Sequence, residues 1–173
     1  MNQLLSFYYG SHPDHRGRML AEIVQQDDFW LEQTHDFIQW LFPLNELSRA
    51  SSHAPIVDSA TVKAFHSDEL LRKHMRLSLV RMLKFLGLHF DGRTLETATN
   101  WSARKGEWFT SHSHNSLRIS RILKSMALLG LKQEAMALHT GLESLCQRES
   151  DCGITCCRRP KTEPLLEAVP IQD

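Results

Sequence analysis

The sequence predicts an all-α protein: a single compact bundle of about six helices over residues 1–149, followed by a flexible tail over 150–173. Three observations predict it. Apolar residues recur at three- and four-residue intervals in one stretch after another. No segment alternates apolar and polar residues around a turn pair such as Asn-Gly. With 173 residues, 42% of them hydrophobic and 23% charged, the chain can bury one core without metal or disulfide staples.

The elements follow in order. Met19, Leu20, Ile23 and Val24 share one face of a first helix over 17–26. A second starts after Asp27-Asp28, where a carboxylate complements free backbone N–H groups, and runs through Leu31, Thr34, Phe37, Ile38, Leu41 and Phe42 until Pro43 stops it. Residues 44–59 read as a surface loop and 61–65 as a short helical turn. The longest helix begins at Ser67-Asp68-Glu69; Leu70, Leu71, His74, Met75, Ser78, Leu79, Met82, Leu83 and Leu86 form its apolar stripe as far as Gly87. After a turn at Asp91-Gly92-Arg93, residues 95–109 hold Trp101, Trp108 and Phe109 in a weak helical pattern. Ser113 caps a strong helix whose inward residues are Leu117, Ile122, Leu123, Met126 and Leu129. A last helix over 133–148 places Ala135, Leu138, Leu142, Leu145 and Cys146 at core spacing, although Gly141 weakens it by up to about 1 kcal/mol. Beyond Ser150 no period remains.

Twenty basic side chains balance twenty acidic ones, which excludes a globally basic nucleic-acid coat. The balance is uneven along the chain. Residues 1–58 hold eight acids and three bases, 59–132 five acids and thirteen bases, and 133–173 seven acids and four bases. Either the acidic and basic stretches neutralise one another across the fold, or the basic middle keeps an anion-binding face. No apolar run reaches the length of a membrane span and no leader pattern opens the chain, so the cytoplasm is the expected location. All four cysteines, at 146, 152, 156 and 157, fall in the last 28 residues. They read as free thiols on the tail, or as zinc or redox ligands, and not as a framework.

Two blocks stand out. The first comprises Tyr9-Gly10, Pro13-Asp14, Gly17, Leu31-Glu32, the run from His35 to Leu44, Glu46 and Ala54-Pro55. The second comprises Asn100-Trp101, Ser113-His114-Asn115, the run from Leu117 to Ser125, and Leu129-Gly130-Leu131. Over residues 7–132 they resemble the conserved N-terminal domain of opioid growth factor receptor proteins. The resemblance implies a receptor-like binding protein; the vertebrate receptor binds an enkephalin peptide and is unrelated to the seven-helix opioid receptors.

Two constellations inside these blocks are candidate ligand-binding sites. His35, Asp36, Gln39 and Trp40 lie within two helical turns, and are open to reading as a polar pocket with an aromatic wall or as packing around the helix end. His114, Asn115, Arg118, Arg121 and Lys124 lie along one helix whose start at Ser113 favours an anion. Its arginines can each grip an oxyanion through two parallel bonds, for a phosphate, a nucleotide or an acidic peptide; the alternative is a solvated face or salt bridges to the acidic first third. Asn100 and Trp101, which open the second block, complete the candidate set. Trp101 and Trp108 beside Arg104 and Lys105 are open to stacking single-stranded nucleic acid or to burial. His112 and His114 form the densest of the ten histidines' local pairs, without a partner ligand nearby. No phosphate loop, nucleophile elbow or zincin helix is present, and no catalytic residue, metal or cofactor is expected. The reading leans to a non-enzymatic protein with a peptide, protein or small anionic ligand; a small helical enzyme using His114 or His35 on a phosphorylated substrate is the alternative, and a nucleic-acid module a third.

Overall fold

The computed structural model describes residues 2–48, 51–110 and 113–149. Among them the chain forms nine α-helices and one two-stranded sheet. The expected bundle of about six helices is therefore corrected to a mostly helical fold that carries a β-hairpin.

The first half is built of short helices. Helix α1 (Gln3–Tyr8) was not anticipated; the Asn2 side chain accepts from the Leu4 N–H and donates to Thr61 Oγ1 at 2.9 Å, tying the N-terminus to a later helix. Helix α2 is only Leu20–Ile23, because the Asp14 carboxylate takes the N–H groups of Arg16 and Arg18 and holds 14–18 in a turn. The single helix expected up to Pro43 is two. Helix α3 (Asp28–Gln33), capped by Asp27, ends at Thr34, which adopts extended angles, and α4 (Ile38–Leu41) starts anew. The loop after α4 carries an isolated parallel bridge between Leu44 and Ile56. Helix α5 (Ser59–Ser67), with Asp58 as its cap, is a full nine residues, not a single turn.

Long elements make up the second half. Helix α6 (Glu69–Phe85) starts where Asp68 accepts from the Leu70 N–H. The hairpin follows: β1 (Leu88–Phe90) pairs antiparallel with β2 (Leu95–Thr97), with His89 opposite Glu96. Its turn is fixed by Asp91, whose carboxylate accepts from the N–H groups of Arg93 and Thr94 and from the Thr94 hydroxyl. Helices α7 (Trp101–Trp108), α8 (His114–Leu128) and α9 (Lys132–Arg148) complete the fold, α8 packing along α9. Gly141 has a packing reason: a Cβ there would lie 2.4 Å from Leu95 Cβ, so only glycine lets β2 rest on α9.

One core runs through all of it, from Leu4, Phe7 and Tyr8 through Phe37, Leu41 and Phe65 to Met75, Phe85, Trp108 and Leu138. Two residues assigned to inward stripes face outward, Leu70 at 44% and Leu117 at 74% exposure. Part of the segregated charge meets across the fold. Arg81 pairs with Asp28, Arg104 with Glu32, Arg76 with Glu134, Lys105 with Glu149 and Lys124 with Glu46. No helix among the described residues is long and apolar enough to cross a membrane. Cys146, half-buried on α9, is disulfide-bonded, contrary to the free thiol expected. The other three cysteines, His112 and the tail over 150–173 lie outside the described residues.

Candidate functional site

The two blocks singled out in the sequence fold onto each other. Arg118, Arg121 and Ser125 stand at three- and four-residue steps on α8 and so share a face. Each donates to a carbonyl in or beside the first block: Arg118 Nη2 to Thr34 at 2.8 Å, Arg121 Nη1 to Phe42 at 3.1 Å, and Ser125 Oγ to Pro43 at 2.7 Å. Thr34 and Phe42 close α3 and α4, where carbonyls have no partner within the helix, so α8 caps both ends.

Arg118 is 4% exposed and lies over the rings of Phe37 and Phe85. It also donates from Nη1 to Asn115 Oδ1 at 3.0 Å and from Nη2 to His35 Nδ1 at 3.2 Å. A guanidinium can only donate, so His35 Nδ1 is the acceptor of this bond. Burial pushes the Arg118 pKa down to about 10, with Glu32 opposing the shift, which leaves it a cation at neutral pH. Arg118, expected as an oxyanion clamp, serves in the fold as a strut between α8 and the end of α3.

Beside the strut a cavity of about 440 Å³ opens between α4 and α8, a volume suited to a small ligand. His35, Ile38, Gln39, Leu44 and Glu46 line one side and His114, Leu117, Ser120, Arg121 and Lys124 the other. Gln39 is 3% exposed, and its Oε1 has no hydrogen-bond partner among the described residues. Arg121 is half-buried; burial lowers its pKa and Glu46 opposes that shift. Lys124 Nζ lies 3.6 Å from Glu46 Oε1. At the mouth, the His35 and His114 rings meet edge-on at 5.1 Å, and His114 Nε2 is 3.1 Å from Glu32 Oε1. Burial first, and then the Arg118 cation, lower the His114 pKa against the pull of Glu32. Cations, an unpaired acceptor and apolar walls are means of binding.

The cavity thus joins His35 and Gln39 to His114, Arg121 and Lys124, with Arg118 behind them. Other candidates lie elsewhere. Asp36 sits in an ion cluster with Arg16 and Arg18, whose hydrogen bonds hold its carboxyl below the usual range although burial opposes them. Trp40 is in the core, against Phe7 and stacked on His15. Asn115 is fully buried and donates to Glu32 at 3.4 Å. Asn100 donates to the Lys84 carbonyl, and Trp101 packs edge-on against Trp108 and Phe109. Sequence reasoning missed Glu32, Glu46 and Leu117 as partners of the site. Both glutamates were inside the motif blocks, but only the fold shows which base each one faces. Among the described residues no group of three histidine, cysteine or acidic side chains could hold a metal ion.

Compared with known proteins, the chain matches the family model of the opioid growth factor receptor conserved region over residues 2–150. The chain belongs to the opioid growth factor receptor conserved-region family. Its opioid growth factor receptor relatives include those of Rattus norvegicus, 38% identical over 122 residues, and Homo sapiens, 37% identical over 124 residues; each match covers 67% of this chain, and 21% and 18% of the relative, respectively. The opioid growth factor receptor-like protein 1 of Rattus norvegicus is 34% identical over 102 residues, covering 58% of this chain and 22% of that protein. The matched stretch is about a fifth of these receptor-family proteins' length. No solved structure matches.

Proposed function

We propose that this chain is a non-enzymatic, receptor-like binding protein that takes a small anionic or peptide ligand in the cavity between α4 and α8. One observation carries the reading. Residues from 35–46 and from 114–124, far apart in the chain, enclose about 440 Å³ around a half-buried guanidinium at Arg121 and the unpaired Gln39 acceptor. The receptor names of the relatives support it, although those proteins are several times longer than the matched stretch. The cytoplasmic setting expected from the sequence belongs to the same reading.

The test is a thermal-shift screen of short peptides, phosphorylated metabolites and nucleotides, on the wild-type chain and on an Arg121→Ala, Lys124→Ala double variant. A compound that raises the wild-type Tm and leaves the variant unmoved is the expected result. If every compound shifted both proteins alike, the cavity would not be the site. Mass spectrometry of the same mixtures reads turnover; a product lost with His114→Ala would move the protein to the enzyme class.

A further inference from the structure

Resting on that reading of the cavity, we infer that its ligand carries a single carboxylate, an amide N–H beside it and an apolar side chain, the chemistry shared by an N-acyl amino acid and the carboxyl end of a peptide. The charge follows from which cations are still available. Arg118 also lines the cavity, but both of its terminal nitrogens are committed to Asn115, Thr34 and His35. Lys124 already faces Glu46. Arg121 gives one nitrogen to the Phe42 carbonyl and makes no ion pair within 4 Å among the described residues, so one edge of its planar guanidinium is left for a carboxylate to accept two parallel bonds. With Lys124 and Glu46 matched to each other, a phosphate ester would bring nearly two negative charges, and a nucleotide more, to the one guanidinium edge that is left.

The rest of the ligand is specified by what the cavity lacks. Gln39 Oε1 is buried and unpaired, and a buried acceptor gains from any donor that reaches it. An ionised carboxylate has no proton to give, so the donor is a separate group, and an amide N–H sits next to the carboxylate in both ligand sources. Ile38, Leu44 and the exposed Leu117 supply an apolar wall that a side chain can cover.

Binding is measured by fluorescence competition against an array of random tetrapeptides made with free and with amidated carboxyl ends, alongside N-acetyl-leucine, inorganic phosphate and ATP. The best free-carboxyl peptide is expected to bind about tenfold or more tighter than its amide, the scale of one charge-assisted bond. Methylating its last amide nitrogen is expected to weaken it again. Arg121→Gln should bring acid and amide within about twofold of each other, Arg121→Lys should restore part of the gap, and Gln39→Met should make methylation silent. N-acetyl-leucine binding as well as the peptide would assign the site to free acyl amino acids; peptide binding alone would assign it to a chain end. Acid and amide binding equally, or phosphate or ATP binding in their place, would overturn the inference while leaving a ligand cavity. Failure of the whole panel would remove the cavity reading itself. The ligand-side comparisons hold even if a variant folds poorly.

Discussion

Truncating Arg118 to alanine removes at one stroke the donors to Asn115, the Thr34 carbonyl and His35. The expected cost is about 2–4 kcal/mol, because several buried acceptors lose a charged partner together. Arg121→Ala gives up one carbonyl contact at a half-buried position and is expected to cost about 1 kcal/mol or less. Urea denaturation of the two variants reads both numbers. His114 adds a pH dependence whose sign is fixed: its folded pKa is lowered, so its contribution to stability is complete above the unfolded value of about 6.5 and is lost as pH falls below it. His114→Gln is therefore expected to flatten the loss of Tm between pH 7 and 5 relative to the wild type; parallel curves would refute this.

At the scale of elements, the hairpin and α9 depend on each other. Helix propensity alone predicts that Gly141→Ala stabilises α9 by up to about 1 kcal/mol. The 2.4 Å approach of a Cβ to Leu95 opposes this, and overpacking of that kind costs about 1–3 kcal/mol, so a net loss of stability is expected. A raised Tm would show that β2 moves aside freely. The Asp91 carboxyl, held down at about 2 by the hydrogen bonds of Thr94 and Arg93, contributes stability that is present above its unfolded pKa near 4 and disappears as pH falls toward 2. Asp91→Ala should accordingly speed amide exchange in β1 and β2 before anything else changes, measured by hydrogen exchange.

For the whole molecule, five of the thirteen bases in the middle of the sequence pair with acids from the two ends among the described residues. Weak retention on single-stranded DNA at about 0.15 M salt is the expected outcome, and tight, salt-sensitive binding would show a basic face that these pairs do not neutralise. The long helices α6, α8 and α9 were legible because a three-four apolar stripe and a capping residue each state the same thing locally. The break at Thr34 was not, since nothing nearby announces it; its carbonyl is taken by an arginine 84 residues away. The hairpin escaped because each strand is three residues long, too short for alternation to register. Of the candidate residues, spacing rightly grouped those on α8, but spacing cannot tell a buried strut from a cavity cation, so Arg118 and Arg121 read alike until the fold separated them.

The donors of α8 that hold Thr34, Phe42 and Pro43 span 84, 79 and 82 residues of intervening chain. Contacts so distant close only after that loop has lost most of its freedom, which puts the cavity among the last parts of the molecule to assemble. A ligand held there engages what forms late and, by the same route, what must come apart first. Its clearest kinetic signature would be a longer native lifetime with little change in the refolding rate.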